Sequence, residues 1–239
     1  MSLVLIVGLS LGAFLAAAIS GAAGFGGALI LLPLLTRAVG ATLAVPLLTI
    51  AQLIGNFSRV AFGFREIRWR PVGLFLIGAV PCSVLGSLSF IALPKAILVR
   101  LIGGAILLFV ALRYFRILRF APSAKLLVGG GGMVGFLSGL IGSAGPVGAA
   151  IFLTLELPAV AYIASEAVTA LVMHVVKSVV YQHYIHLEQV WLLAVALGVA
   201  MILGTWTAKR MIERMPPERF RNFVAILLVL VSLQMLVFG

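Results

Sequence analysis

The chain contains no aspartate, and its six acidic residues are all glutamates, against 13 arginines and four lysines. Only 10% of the residues are charged, whereas 63% are apolar and the mean hydropathy is +1.27. A soluble domain is about 25% charged and about 45–50% apolar, so this chain has too little polar surface to enclose a core in water. The composition excludes a disordered chain and a soluble enzyme, and it indicates a polytopic helical membrane protein.

Cysteine is nearly absent as well. Cys82 stands alone, which excludes an intramolecular disulfide and a cysteine-based zinc site. The three histidines lack the spacing of zinc ligands on one face, so we expect no metal and no cofactor. The net charge of +11 is distributed between apolar segments. That pattern is typical of membrane loops, whereas a nucleic-acid-binding protein clusters its basic residues on a soluble face.

Long apolar runs divide the chain into candidate membrane segments. Each half opens with an apolar run and a glycine-rich break, and continues with a run of about nine residues, too short to cross roughly 30 Å of hydrocarbon. Three longer runs complete each half. The segments are 3–19, 28–36, 42–62, 72–93 and 97–114 in the first half, and 126–141, 149–157, 159–184, 191–211 and 220–238 in the second.

Three clusters of basic residues orient these segments. They lie in the ranges 65–70, 113–125 and 209–221, and the positive-inside rule places all three in the cytoplasm. The second and third clusters share a side only if an even number of crossings separates them. The helices 159–184 and 191–211 supply these two crossings, so 126–157 must enter and leave on the same side as a hairpin. The same reasoning places the first hairpin, and both termini, outside.

The two halves are related by an internal repeat. An offset of 121 positions relates the glycines of the two breaks: Gly21 and Gly142, Gly24 and Gly145, Gly27 and Gly148. The same offset places Asn56 on Lys177. The predicted fold class is therefore an all-α membrane protein with two inverted repeats, residues 1–120 and 121–239. Each repeat has a glycine-broken helical hairpin and three spanning helices.

Inverted repeats with broken helices are typical of transporters, whose substrate site lies near the midplane where the breaks meet. Non-helical backbone is tolerated there only if it is buried in protein or lines a wet cavity. The N–H groups that open the following half-helix attract anions. Close helix packing through small residues is the alternative. The candidate backbone residues are Gly21, Gly24, Phe25, Gly26 and Gly27 in the first break, and Gly142, Ser143 and Gly145 in the second.

Polar side chains form a stripe on each of two apolar helices. Thr49, Gln52 and Asn56 share one face of 42–62, and we take them as candidate binding residues. Lys177 joins them, because a cation within an apolar helix is costly unless it is paired or functional. A structural pair of Lys177 with Glu166 or Glu156 is the alternative.

Two titratable residues of 159–184 are candidates for coupling transport to protons. Glu166 lies on the stripe of Lys177, and His174 lies beside it. Histidine changes its charge near neutral pH, although a packing role for His174 stays open. Arg59 lies only six positions from Arg65, so we expect its side chain to extend to the membrane interface.

Two glycine-rich motifs resemble the signature that opens each half of the TauE/SafE-type sulfite exporter permeases. They read SGAAGFGGALILLPLL (20–35) and GFLSGLIGSAGPVGAAIFL (135–153). FREIRW (64–69) and RMIERMPPERFRNF (210–223) are similar to the same family, and the resemblance covers nearly the whole chain. It implies transport of sulfite, sulfonates or sulfoacetate-like anions across the bacterial inner membrane. Pro146 and Val147 replace glycines of the second motif, which implies that the first break is the more adaptable binder.

Together, the residues and the resemblance predict a secondary transporter of small sulfur-containing or organic anions. It would alternate access around a midplane site in the lipid bilayer, coupled to protons or sodium, without nucleic acid. We expect no enzyme, because Ser143 beside His174 would need a glycine where Ile141 stands. A passive anion channel is the main alternative. An assembly factor would need larger loops outside the membrane.

Overall fold

The computed structural model describes residues 3–88, 107, 123–141, 144–180 and 191–238, and the statements below refer to these ranges. Within them the chain forms eight α-helices and one 3-10 turn, Phe64–Glu66, and no β-strand, which confirms the all-α class. The helices are α1 (Leu3–Ala23), α2 (Gly27–Phe62), α3 (Trp69–Leu88), α4 (Ala124–Ile141), α5 (Gly145–Leu153), α6 (Ala159–Val180), α7 (Trp191–Ile212) and α8 (Pro217–Phe238). The predicted segment 97–114, apart from Leu107, lies outside the described residues.

Several helices have the length and apolarity of membrane spans. In the described ranges these are α1, α3, α7 and the stretch Ala159–Val179 of α6. Leu47–Phe62 and Ala124–Gly139 are shorter apolar segments. The outer face of α1 exposes Val7, Leu11 and Leu15 at helical spacing, as expected of a helix that faces lipid. The chain is a multi-pass membrane protein.

Helix α2 differs from the two separate runs that the sequence predicts, 28–36 and 42–62. Helical structure is continuous over its 36 residues, and a straight helix of that length would extend about 54 Å. Yet an ideal Cβ on Gly27 would lie 3.1 Å from Nε2 of Gln52, far along the same element. Leu35 and Ala44 also belong to one buried cluster. The element therefore bends back on itself without a helix break, a second reversal besides the predicted hairpin, whose turn is the glycine break.

In the second half, the short helix that follows the break ends in a turn before the next helix. Helix α5 has only nine residues, and Glu156 adopts a φ of 52° shortly before Pro158. Proline lacks a backbone N–H and is well suited to the start of the next helix. The Tyr162 hydroxyl donates to the carbonyl oxygen of Ala149 at 3.3 Å, so α5 folds back against α6.

Helices α3 and α4 form the most extensive helix pair. Glycines allow their backbones to approach closely, since an ideal Cβ on Gly131 would collide with the carbonyl oxygen of Phe75. An ideal Cβ on Gly135 would collide with the carbonyl oxygen of Ala79 in the same way. The contacts advance in the same direction along both helices, so α3 and α4 are parallel.

Helices α1 and α7 pack in the same manner. An ideal Cβ on Gly204 would collide with the carbonyl oxygen of Phe14, and one on Gly21 would lie 3.3 Å from Cα of Thr205, so this pair is parallel too. The offset of 121 maps α1 onto α4 and α3 onto α7. Each half therefore contributes one helix to each parallel pair. The two repeats and their inversion stay predictions.

Candidate functional site

The first break is narrower than the predicted stretch 21–27. Helix α1 continues through Ala23, and only Gly24, Phe25 and Gly26 separate it from α2. Gly24 and Gly26 have φ values of +87° and +97°, which residues with a side chain rarely adopt. An ideal Cβ on Gly24 would also lie 2.9 Å from Cε1 of Tyr162. Glycine is therefore required at this position both for its conformation and for the close approach of Tyr162.

The second break lies between α4 and α5. Gly142 and Ser143 are outside the described residues, and Ala144 immediately precedes α5. Pro146 has no N–H to donate, and the N–H groups of Val147 and Gly148 donate to the carbonyl oxygen of Ala144 at 3.1 and 3.2 Å. The first turn of α5 therefore offers fewer donors to a ligand than the first turn of α2.

Tyr162 brings the two breaks together. Its buried hydroxyl lies 3.1 Å from the carbonyl oxygen of Ala23, at the end of α1, and 3.3 Å from that of Ala149 in α5. An ideal Cβ on Gly145 would lie 3.3 Å from Cβ of Phe25, so the breaks are in contact. The sequence predicted this meeting point but did not identify Tyr162.

A cavity of about 40 Å³ lies at this meeting point, with room for about three water-sized groups. The predicted residues that line it are Gly24, Phe25, Gly26, Gly27, Gln52, Asn56, Gly145, Glu166 and His174. Its wall also contains Ser20, Arg59, Ser138 and Thr169. Both helix breaks and both polar stripes therefore contribute to one enclosure.

Arg59 does not extend to the membrane interface, and this prediction is wrong. Its side chain is 95% buried, since only 5% of the residue is exposed. The guanidinium forms an ion pair with Glu166 at 3.4 Å and also donates to the side-chain oxygen of Asn56. Nη1 donates further to the carbonyl oxygens of Ser20 at 3.2 Å and Gly24 at 2.8 Å. These two carbonyls hold the cation inside the protein, and that of Ser20 also accepts the N–H of Gly24 at 2.8 Å.

Three predicted residues do not line this cavity. Gly21 packs against α7, with its Cβ position 2.9 Å from Cβ of Ala208. Thr49 is partly buried and lies elsewhere on α2. Lys177 is 4% exposed and donates at 3.0 Å to Oγ of Ser138, a residue of the cavity wall. Glu166 is paired with Arg59, a partner that the sequence did not suggest.

A second cavity of about 20 Å³ lies on the other side of Arg59, which lines both. This cavity lies where α2 and α7 end and α6 begins. Its wall includes Gly63, Val160, Thr205 and Lys209. The guanidinium of Arg59 therefore stands between the central cavity and the end of the molecule that carries Lys209.

Comparison with known proteins gives one family. A family model described as Sulfite exporter TauE/SafE matches residues 9–235, a range that contains both breaks and every residue of the central cavity. No curated protein and no solved structure matches the chain.

Proposed function

The chain belongs to the sulfite exporter TauE/SafE family, and from this premise we propose that it is a secondary transporter of small sulfur-containing or organic anions. The family establishes the coarser class, an anion-transporting protein of the membrane. Our proposal adds the substrate class, which is sulfite, sulfonates or sulfoacetate-like anions. It also adds alternating access around the central cavity.

The N-terminus of α2 would supply backbone donors to the anion. The first N–H groups of a helix have no acceptor within it, and the helix dipole favours negative charge there. Gly26 provides no side-chain cap, and Gly27 and Ala28 line the cavity. Because α5 directs two of its N–H groups to Ala144, the first break is the better binder in this proposal.

The side-chain amide of Gln52 is the observation that carries the proposal. Gln52 is 5% exposed, and among the described residues its Nε2 has no hydrogen-bond partner. That nitrogen lies 3.1 Å from the Cβ position of Gly27, at the start of α2. A buried donor without an acceptor costs about 1–3 kcal/mol. An oxygen of a bound anion would satisfy this donor beside the helix N-terminus.

Arg59 would control access between the cavity and the cytoplasm. Its guanidinium contributes charge to the site and separates the central cavity from the one beside Lys209. An anion that competes with Glu166 for Arg59 would weaken the ion pair and favour opening on that side. Glu166 or His174 would carry a coupled proton, and carbonyl oxygens released at the break would hold sodium if sodium is the coupling ion.

Thermal stabilisation of the detergent-purified protein tests the binding part, because a ligand of the folded state raises its apparent stability. The panel contains sulfite, sulfate, sulfoacetate, taurine, acetate and phosphate. We expect a selective shift with a sulfur oxyanion or sulfonate. Gln52→Leu should weaken the affinity about tenfold or more, and the near-isosteric Gln52→Glu should abolish binding by repulsion. Asn222→Leu, at an exposed position of α8, is the matched control.

A flat response of the wild-type protein to the whole panel would overturn the substrate class. Uptake into proteoliposomes then separates a transporter from a channel. Accumulation of the anion against its own gradient, driven by an imposed proton or sodium gradient, is expected. Flux that only follows the anion gradient would favour the passive channel.

A further inference from the structure

Ser138 and Lys177 form a buried contact between α4 and α6. Nζ of Lys177 lies 3.0 Å from Oγ of Ser138, and each residue is only 4% exposed. Ser138 lines the central cavity, whereas Lys177 does not. The serine therefore stands between an ammonium group and the space that we assign to the anion.

The chemistry of Lys177 and Ser138 fixes the direction of the hydrogen bond between them. An ammonium group has three donors and no acceptor, so Oγ of Ser138 must accept the hydrogen bond and keeps its own proton to donate. Serines within helices usually donate back to a carbonyl of the preceding turn. Ser58 and Ser178 do so here, to the carbonyl oxygens of Ile54 and His174, each at 2.8 Å.

Ser138 makes no such backbone bond. Within the described part of the chain, the bond from Lys177 is the one hydrogen bond that Oγ of Ser138 forms. Its proton is therefore available on the cavity side. A hydroxyl that accepts a charge-assisted hydrogen bond is also a stronger donor than an ordinary serine, because successive hydrogen bonds polarise one another.

We propose that the hydroxyl of Ser138 is a ligand of the anion, and that Lys177 is a positioning residue that acts through it. This inference rests on the proposed function and deepens it. Gln52 and the start of α2 meet the anion from the first half of the chain, and Ser138 meets it from the second. A small oxyanion can accept these donors through separate oxygens.

Substitution of the serine tests the ligand role. Ser138→Ala should weaken the binding of the oxyanion that stabilises the wild-type protein by about tenfold or more, since hydrogen bonds to charged groups are the stronger class. Ser138→Thr keeps the hydroxyl and should restore most of the affinity. Ser178→Ala removes the hydroxyl one position after Lys177 and should leave the affinity unchanged.

A double-mutant cycle tests the positioning role. Lys177→Met should weaken oxyanion binding in the wild-type background and should have little further effect in Ser138→Ala, because residues that act through one another are not additive. Size-exclusion elution and the melting temperature without ligand verify folding. Wild-type affinity in Ser138→Ala, or an equal loss from Lys177→Met in both backgrounds, would overturn the inference.

The two proposals fail in different ways. If the wild-type protein binds none of the anions, both proposals are overturned. If the wild-type protein binds an oxyanion, and Gln52→Leu weakens this binding while Ser138→Ala does not, the proposed function stands and only the role of Ser138 is overturned.

Discussion

The buried ion pair between Arg59 and Glu166 should be the most sensitive point of the cavity at the residue scale. Removal of one partner leaves the other charge buried without compensation, which costs about 3–5 kcal/mol, whereas replacement of both is often neutral. Arg59→Gln should therefore lower the melting temperature strongly. Arg59→Gln combined with Glu166→Gln should recover most of that loss. Scanning fluorimetry in detergent measures both.

The ion pair between Lys209 and Glu213 is the matched control. Its nitrogen and oxygen are also 3.4 Å apart, but its side chains are 31% and 42% exposed. Exposed pairs contribute about 0–1 kcal/mol, so Lys209→Gln should change the melting temperature little. If the Arg59 single variant and the double variant melted at the same reduced temperature, the ion pair would not be what the arginine contributes.

The sequence groups some cavity residues by their spacing on one helix, although their role in binding stays a prediction. Gln52 and Asn56 are polar positions with helical spacing in an apolar segment, and both line the cavity. Arg59 continues the same spacing, but its carbonyl acceptors, Ser20 in α1 and Gly24 in the break, lie far from it along the chain. Ser138 carries no signal in its own segment, because its partner Lys177 lies 39 positions away on another helix.

At the scale of elements, the close contact of α3 and α4 depends on glycines in α4. An ideal Cβ on Gly135 would overlap the carbonyl oxygen of Ala79, whereas one on Gly129, in the same helix, would have nothing within 4 Å. Gly135→Ala should therefore destabilise the protein by about 1–3 kcal/mol through overpacking. Gly129→Ala should be neutral or slightly stabilising, because alanine favours helix. Equal melting temperatures of the two variants would show that the helices separate without cost.

The limits of the elements were predicted less well than their existence. Glycine content placed the first break at 21–27, but Gly21 remains helical because α7 packs against it. Two separate runs, 28–36 and 42–62, were predicted where α2 is one continuous helix that bends back on itself. In each case the deciding contacts come from a distant segment, and hydrophobic periodicity carries no information about them.

At the scale of the whole molecule, the described residues of the three basic clusters lie at one end. The second cavity joins the end of α2, the beginning of α6 and the end of α7, so Gly63, Val160 and Lys209 lie at the same level. The arginines of 65–70 follow Gly63 directly. Because α3 and α4 are parallel, the start of α4 with Lys125 lies at this end as well. The structure thus groups the described members of the clusters that the positive-inside rule places in the cytoplasm.

The side of the membrane on which each end lies is the last prediction. In a Cys82→Ser background, single cysteines at exposed positions are labelled in spheroplasts with a membrane-impermeant thiol reagent. Leu3→Cys and Trp191→Cys, at the starts of the parallel helices α1 and α7, should react from outside. Phe64→Cys and Glu218→Cys should react only after permeabilisation, and neither substitution removes a basic residue. Labelling of Phe64→Cys from outside would show that the orientation is the reverse of the predicted one. Labelling of Leu3→Cys and Phe64→Cys from the same side would contradict the predicted inversion of the two halves.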